Sequence, residues 1–411
     1  MSRPDHILII NVFFAPHSFG GATMVAEDVA KALIADHGIK ISAISAMQRK
    51  DLPPYAVMRV EADGIASYLI NLPEKRSYQE MYDNPVVTDL VAGLLTQIRP
   101  DLVHAHCVQD LGGALLGMIK ARGFPLVLSV HDFWWLCERQ FMIKPDQTYC
   151  GQDPIQIENC VGCVPKIDRA RTRFEALSKA VTSADLITFP SQFAKGLSER
   201  SGMTAGALAV WANGIKGPGP GFFDAQAARR AADPTVVMGY LGGPTQVKGW
   251  TLIKEVFEAI ERTDFIGLLA EGSLNNEWWP KQNLSRMRGT WIVHPHFDRS
   301  TMDDFYAKID VLLFPSQWKE TFGLTVREAL ARGIPVIQTD SGGTTEWDGA
   351  DPSEMLQISD GADKLHDKIE AFLDNPPSPR APMVFPDAAD QANDLLDLIA
   401  RYVPLGSTSR G

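Results

Sequence analysis

The chain alternates short β-rich runs with segments of helical periodicity along most of its length. The β-rich runs are almost continuously apolar, which is typical of parallel strands whose sheet is covered by helices on both faces. A helical pattern is clear in residues 24–35, where Val25, Val29 and Leu33 lie on one stripe. The alternation predicts an α/β protein. The predicted strands fall in two sets: 7–14, 41–45, 101–106, 126–130 and 185–189, then 236–242, 265–270, 291–297, 311–315 and 335–340.

The two sets of strands are separated by residues 216–234, which are rich in glycine and proline and then polar. Such a composition predicts an interdomain linker. The chain therefore divides into an N-terminal domain at 1–215 and a C-terminal domain at 235–386. A last helical segment is predicted from about 387 to 411.

Composition excludes several classes of protein. A net charge of −11 over 411 residues argues against broad nucleic-acid binding, which needs a basic face. No apolar run approaches the ~20 residues of a membrane span. The apolar start at 7–14 lacks the charged flank and cleavage site of a signal peptide, so it is predicted to be a first strand. The expected location is cytoplasmic, where cysteines seldom form structural disulfides.

One stretch, ETFGLTVREALARGIPVIQTDSGG, carries the strongest functional signal. Gly323 can make a turn, residues 324–331 are good helix formers, and the Gly-Ile-Pro segment at 333–335 ends that helix. Glu320 therefore lies in a loop after the strand 311–315, and Glu328 lies inside the helix.

The start of this predicted helix offers unpaired N–H groups around Gly323, Leu324 and Thr325, and these favour an anion such as a diphosphate. Glu320 is placed to accept hydrogen bonds from sugar hydroxyls, and Glu328 to accept two from a ribose diol. The alternative for two glutamates at this spacing is an ordinary solvated surface.

The context favours the site, because the stretch resembles the signature of the retaining glycosyltransferases of family 4, the glycosyl transferases of group 1. That signature is E-x-F-G-x-x-x-x-E-A, then a small residue, x-G-x-P-V, and a Gly-Gly loop before a glutamate. The matching residues are Glu320, Phe322, Gly323, Glu328, Ala329, Gly333, Pro335, Val336, Gly342, Gly343 and Glu346.

Other segments extend the resemblance. Gly20-Gly21 resembles the first loop of the family, where glycines let the main chain approach donor and acceptor, and 211–215 resembles the segment before the linker. His131 matches the family's strand-end histidine near the donor sugar, with a satisfied structural histidine as the alternative. The resemblance implies the GT-B fold: two Rossmann-like parallel-sheet domains facing across a cleft, with the C-terminal helix crossing back to the first domain.

The segment GGPTQVKG at 242–249 departs from the family pattern G-R-L-x-x-x-K-G. Lys248 keeps its place, but Gly243 replaces the usual arginine. Either Lys248 and the helix start carry the phosphates, or another base such as Lys319 helps, or diphosphate binding is weakened. The resemblance thus implies His131, Glu320 and Lys248 as catalytic residues. Donor-binding residues are Gly20, Gly21, Gly243, Lys248, Glu320, Phe322, Gly323, Leu324, Thr325 and Glu328.

The implied function is transfer of a sugar, with retained configuration, from a UDP- or GDP-linked donor to a glycan or lipid-linked acceptor in cell-surface polysaccharide biosynthesis. The chain has no D-x-D motif, so neither a catalytic metal nor another catalytic cofactor is expected. Peripheral membrane association stays open. Alternatives are a non-catalytic nucleotide-sugar-binding or assembly subunit, or a nucleotide-sugar epimerase.

Two aromatic pairs, 134–135 and 278–279, are candidates for contact with a sugar or lipid, and packing is the alternative.

Four of the five cysteines fall within 27 residues, and the last two form C-x-x-C. A tetrahedral site would order this polar segment, since metal binding then supplies local folding energy. Zn²⁺ or an iron–sulfur cluster fits four thiolates. Thiols without a metal, or disulfides, are the alternatives. The predicted ligands are Cys137, Cys150, Cys160 and Cys163.

Overall fold

The computed structural model describes residues 3–273, 275–376 and 380–405. The chain forms two compact units. The first unit comprises Met1–Met142, Gly151–Gly214 and Ala388–Gly411, and the second comprises Ile143–Cys150 and Ile215–Asp387. Of the helical segment predicted to reach residue 411, residues 406–411 lie outside the described residues.

The strands follow in chain order. They are β1 His6–Ile10, β2 Lys40–Met47, β3 Val57–Ala62, β4 Ile65–Asn71, β5 Leu102–Ala105, β6 Leu126–Ser129, β7 Leu186–Phe189, β8 Leu208–Val210, β9 Val236–Tyr240, β10 Phe265–Ala270, β11 Thr290–His294, β12 Val311–Phe314 and β13 Val336–Gln338. All ten predicted strands are present, and β3, β4 and β8 are additional.

The helices are α1 Gly21–His37, α2 Pro85–Ile98, α3 Ala114–Ala121, α4 Ile167–Val181, α5 Gln192–Arg200, α6 Phe222–Ala232, α7 Trp250–Ala259, α8 Asp303–Tyr306, α9 Leu324–Leu330, α10 Ala362–Asp374 and α11 Ala388–Tyr402. Among the described residues, no helix combines the length and the apolar character that crossing a membrane requires.

The first unit is built on an eight-stranded sheet in the order β3-β4-β2-β1-β5-β6-β7-β8. Every neighbouring pair is parallel except β3 with β4, which form an antiparallel edge. The apolar stripe of α1 is buried through Val25, Val29 and Leu33. Helix α11 packs into the same core through Leu395 and Ile399, so the last helix belongs to the first unit.

The second unit is built on a five-stranded parallel sheet in the order β11-β10-β9-β12-β13. One face is covered by α7 and α10, with Ile253 and Leu365 in its core. The other face buries Phe222 of α6, Phe305 of α8 and Ala329 of α9. The prediction of an α/β fold with two Rossmann-like domains is confirmed.

The predicted linker is not extended throughout, because residues 222–232 form α6. This helix is anchored to the second unit by two arginines. Arg229 and Arg230 both pair with Asp310, at 2.6 and 2.8 Å. The sequence did not predict this helix, because the proline and glycine residues that precede it are typical of a linker.

Candidate active site

Glu320 lies in the loop after β12, and its side chain is largely buried. Its main-chain N–H donates to the Ser341 carbonyl oxygen at 2.9 Å, and its own carbonyl oxygen accepts from the Gly343 N–H at 2.9 Å. Strands β12 and β13 are parallel neighbours, so both loops leave the sheet at its carboxyl edge. Ligands bind at this edge in open α/β sheets.

Three side chains donate to one oxygen of the Glu320 carboxylate. The Lys248 Nζ lies 2.7 Å from Oε1, the Trp318 Nε1 lies 2.9 Å from it, and the Ser316 Oγ lies 3.1 Å from it. The Lys248 ammonium also lies over the Trp318 ring, 5.3 Å from its centre. Within the described residues no side chain or main-chain group donates to Oε2, so that oxygen can accept a hydrogen bond from a ligand hydroxyl.

The loop that carries Lys248 is fixed to the ends of two strands. Lys248 closes a 3₁₀ turn and is followed by Gly249 at φ 85°. A Cβ at Gly249 would lie 2.0 Å from the Pro315 carbonyl oxygen, so only glycine fits. The hydroxyl of Tyr240 lies 2.8 Å from the Gly243 carbonyl oxygen and 3.1 Å from that of Lys248. These contacts place the Lys248 ammonium on Glu320.

Gly243, at the position where the resembling pattern has arginine, lies beside an indole ring. Its φ is +71°, and a Cβ there would lie 2.8 Å from Cζ3 of Trp278. A Cβ at Gly272 would lie 2.2 Å from Cη2 of the same ring. The partly exposed Trp278 therefore occupies the space beside both glycines, and a side chain at 243 would displace its indole. The other three aromatic residues of the two predicted pairs are buried: Trp134, Trp135 and Trp279.

Glu328 lies on α9 and is also largely buried. The hydroxyl of Tyr306 donates to Oε2 at 3.1 Å, and Nη1 of Arg299 lies 3.7 Å from Oε1. Burial raises the pKa of Tyr306 well above its usual value, which keeps the hydroxyl protonated as a donor. The carboxylate is thus held by neighbours that its sequence motif does not contain.

The residues between the two glutamates have different environments. Phe322 is buried against Ile215 and Ala331, so it anchors the loop in the core. Gly323 has φ +80°, and a Cβ there would lie 2.4 Å from Cγ2 of Thr344. Helix α9 begins next, and its first two residues are partly buried: Leu324 and Thr325.

His131 follows β6 in the first unit and belongs to a cluster of histidines. Its Nε2 lies 2.9 Å from Nδ1 of His106, and the two rings are stacked at 13°. His104 lies beside His106, and its Nε2 is 2.7 Å from the Ser129 Oγ. Burial lowers the pKa of His131 to about 4 and that of His104 to about 3, so both rings are neutral near pH 7. The sequence offered a signal for this cluster that was overlooked: His104 and His106 stand at alternate positions of the predicted strand 101–106.

Gly20 and Gly21 also belong to the first unit, at the start of α1. Gly20 has φ 82° and ψ 161°, a conformation that glycine adopts readily and other residues avoid. The remaining predicted donor residues, from Gly243 to Glu328, belong to the second unit.

The predicted metal site is not supported. Among the described residues, no three His, Cys, Asp or Glu side chains are grouped to hold a metal ion. Cys160 is instead buried with Ile157, Val164 and Ala170, and Cys163 packs against them. The expectation underestimated the apolar contacts of this segment, which has a small core of its own.

Two family profiles match the chain. Residues 19–216 match the family described as Glycosyltransferase Family 4, and residues 225–383 match that described as Glycosyl transferases group 1. Together the matches cover most of both units. The chain therefore belongs to the family 4 glycosyltransferases of the GT-B fold, and the resemblance inferred from its motifs is confirmed.

Curated relatives match with varying coverage. The lipopolysaccharide core biosynthesis mannosyltransferase LpsB of Rhizobium meliloti (strain 1021) is 33% identical over 20% of this chain and 23% of its own. An uncharacterized 42.6 kDa protein in the cps region of Klebsiella pneumoniae is 20% identical over 83% of this chain and 87% of its own. The putative teichuronic acid biosynthesis glycosyltransferase TuaC of Bacillus subtilis (strain 168) is 23% identical over 61% of this chain and 56% of its own. The chain thus spans less than two thirds of LpsB and of TuaC.

Solved structures share the fold at low identity. Sucrose-phosphate synthase from Thermosynechococcus elongatus has a TM-score of 0.63 and 17% identity, covering 96% of this chain and 94% of its own. Anabaena Alr3699/HepE in complex with UDP and glucose has a TM-score of 0.60 and 16% identity, covering 97% and 95%.

Proposed function

We propose that this chain is a retaining glycosyltransferase that transfers a sugar from a UDP- or GDP-linked donor to a glycan or lipid-linked acceptor. The proposed setting is the cytoplasmic biosynthesis of a cell-surface polysaccharide. Membership of the family supports the reaction class. The printed functions of LpsB and TuaC, in lipopolysaccharide core and teichuronic acid biosynthesis, support the setting.

The observation that carries the proposal is the pairing of Glu320 with Lys248. One carboxylate oxygen is anchored by three donors, while the other stays able to accept from a sugar hydroxyl. The Lys248 ammonium is the cation placed to neutralise charge on a leaving diphosphate. Both groups lie at the carboxyl edge of the second sheet, where a donor nucleotide is expected.

The proposed division of labour follows from these contacts. Glu320 binds the transferred sugar, Lys248 stabilises the diphosphate, and Glu328 binds the ribose. The acceptor attacks the sugar from the face that the leaving group vacates, and this same-face attack retains the configuration. The leaving phosphate takes the acceptor proton. His131 acts as a neutral hydrogen-bonding group, because its lowered pKa leaves it uncharged at pH 7.

A direct test is incubation with UDP- and GDP-hexoses, with NMR analysis of the released or transferred sugar. The product is expected to retain the anomeric configuration, and turnover is expected to continue in EDTA. The variant Glu320→Gln should lose turnover, whereas the exposed control Glu261→Gln should keep it. An inverted product refutes retention. Binding without turnover indicates a non-catalytic subunit, and an altered sugar on the nucleotide indicates an epimerase.

The donor is best found first by a thermal-shift screen of nucleotides and nucleotide sugars. A ligand at about 100 times its Kd adds roughly 2.7 kcal/mol to the free energy of unfolding. A shift with UDP or GDP compounds and none with the other nucleotides supports the proposal. Absence of a shift with all of them refutes nucleotide-sugar binding.

A further inference from the structure

Arg327 is a buried cation in the loops of the candidate site. It lies on α9 and is 3% exposed. Its Nη1 donates to the Phe322 carbonyl oxygen, and its Nη2 donates to those of Gly343 and Glu346, at 2.9 and 2.7 Å. The guanidinium also lies over the Phe322 ring, 3.8 Å from its centre.

The charge of Arg327 has no ion-pair partner in direct contact. No carboxylate of the described residues lies within 4.0 Å of its guanidinium, and the Glu346 carboxylate acts on it only at longer range. Arg332, which is equally buried on the same stretch, shows the usual arrangement, with Asp303 at 2.6 Å. Burial lowers the pKa of Arg327 to about 10, which leaves it protonated at neutral pH. Buried charges are normally paired, so an unpaired one calls for an explanation.

The three carbonyls that Arg327 binds belong to the two loops that hold Glu320. The main chain of Glu320 pairs with Ser341 and Gly343, and the Arg327 guanidinium bonds to the carbonyl oxygens of both Phe322 and Gly343. Its positive charge therefore lies beside the two loops that leave the carboxyl edge of the sheet. At the same edge, Lys248 lies 2.7 Å from the Glu320 carboxylate and shares its charge with that group.

We propose that Arg327 supplies the second positive charge of the donor diphosphate site, replacing the side chain that Gly243 lacks. It acts through space as a positioning residue and does not touch the ligand. This inference rests on the proposed function, because it assumes that the site binds a nucleoside diphosphate.

Two substitutions separate charge from hydrogen bonding. Arg327→Lys keeps the charge with fewer donors, and Arg327→Gln keeps amide donors without the charge. Arg286→Gln is the control for lost charge in the same unit, since its side chain is 76% exposed. Calorimetry is run with UDP, GDP, uridine and guanosine, and each variant is checked for folding by circular dichroism and thermal unfolding.

Arg327→Gln is expected to bind the nucleoside diphosphate roughly tenfold more weakly, because a unit charge that acts on the diphosphate through space is lost, while nucleoside affinity stays unchanged. Arg327→Lys and Arg286→Gln are expected to stay near wild type. If Arg327→Lys and Arg327→Gln weaken diphosphate binding equally, Arg327 has a purely structural role and the proposal is overturned. The same conclusion follows if a variant loses affinity for the nucleoside and for the diphosphate to the same extent.

A second measurement does not require folded Arg327 variants. In Lys248→Ala, the diphosphate is expected to bind still several-fold better than the nucleoside, and this preference should shrink as salt is raised. If the preference vanishes in Lys248→Ala, Lys248 is the whole source of charge and Arg327 has no such role. If the wild type binds no nucleotide at all, the proposed function fails together with the inference.

Discussion

The contact between Gly243 and Trp278 makes a sharp prediction about stability. Introducing the family's arginine at 243 should destabilise the second unit, because the backbone conformation there strains any side chain and a side chain would displace the indole of Trp278. The smallest probe is Gly243→Ala, which adds only the Cβ that would lie 2.8 Å from the indole.

Two terms set the size of the effect. A non-glycine residue at φ +71° costs about 1–2 kcal/mol. Overpacking against the indole adds about 1–3 kcal/mol. The sum of about 2–5 kcal/mol corresponds to a fall in Tm of at least about 4 °C for a unit of this size.

Gly349→Ala is a matched control, because Gly349 has φ +82° but nothing within 4 Å of its Cβ. Thermal and urea unfolding of both variants isolate the steric term, and Trp278→Ala should recover that term in a double-mutant cycle. Gly243→Arg in the Trp278→Ala background should then tighten diphosphate binding. Equal stability of Gly243→Ala and Gly349→Ala would show that the indole does not exclude a side chain.

Other predictions concern the predicted site residues. Glu328→Ala should weaken free UDP or GDP roughly ten- to a hundredfold by calorimetry, because it loses charge-assisted hydrogen bonds, and unchanged affinity removes its ribose role. Glu320→Gln should lower turnover while nucleotide affinity stays nearly intact; equal losses contradict this division. Lys248→Ala should weaken the diphosphate more than the nucleoside, and an unaffected rate and affinity assigns the phosphates to other groups. His131 has a folded pKa of about 4, below its ordinary value of 6.5, so stability should fall as pH decreases from 6.5 to 4. Urea unfolding of His131→Asn should show a shallower fall, and an identical slope excludes His131 as a source.

The sequence predicted the buried parallel strands well, because a strand covered on both faces is almost wholly apolar. It missed β4, which is mostly buried but carries the polar residues Ser67 and Asn71. It also missed β3, whose residues alternate between partly and fully exposed at the sheet edge, and β8, which has only three residues. It also missed α6, whose stability comes from Phe222 in the core and from Asp310, far away in the sequence. Periodicity reports local burial, and these elements depend on partners from elsewhere in the chain.

Motif spacing predicted the catalytic candidates but not their neighbours. Lys248 and Glu320 were both singled out from the sequence, and the structure joins them. Tyr306 and Trp278 were not predicted as neighbours of Glu328 and Gly243, since each meets its partner only through the fold. The cysteine prediction failed for a related reason, because spacing alone says nothing about the apolar packing that Cys160 obtains.

The lost arginine at position 243 illustrates the limit of reasoning from motifs. A motif assigns a charge to one sequence position, but a bound diphosphate responds to the summed potential of all the charges around it. In this chain, glycine stands beside Trp278 where the family pattern has arginine, and Arg327 is buried against the neighbouring loops without a carboxylate in direct contact. Removing a charge from a phosphate site and burying an unpaired charge nearby are each unfavourable alone. In the role proposed for it, Arg327 offsets the charge that Gly243 does not supply, which would give a physical reason for both departures to occur in one protein.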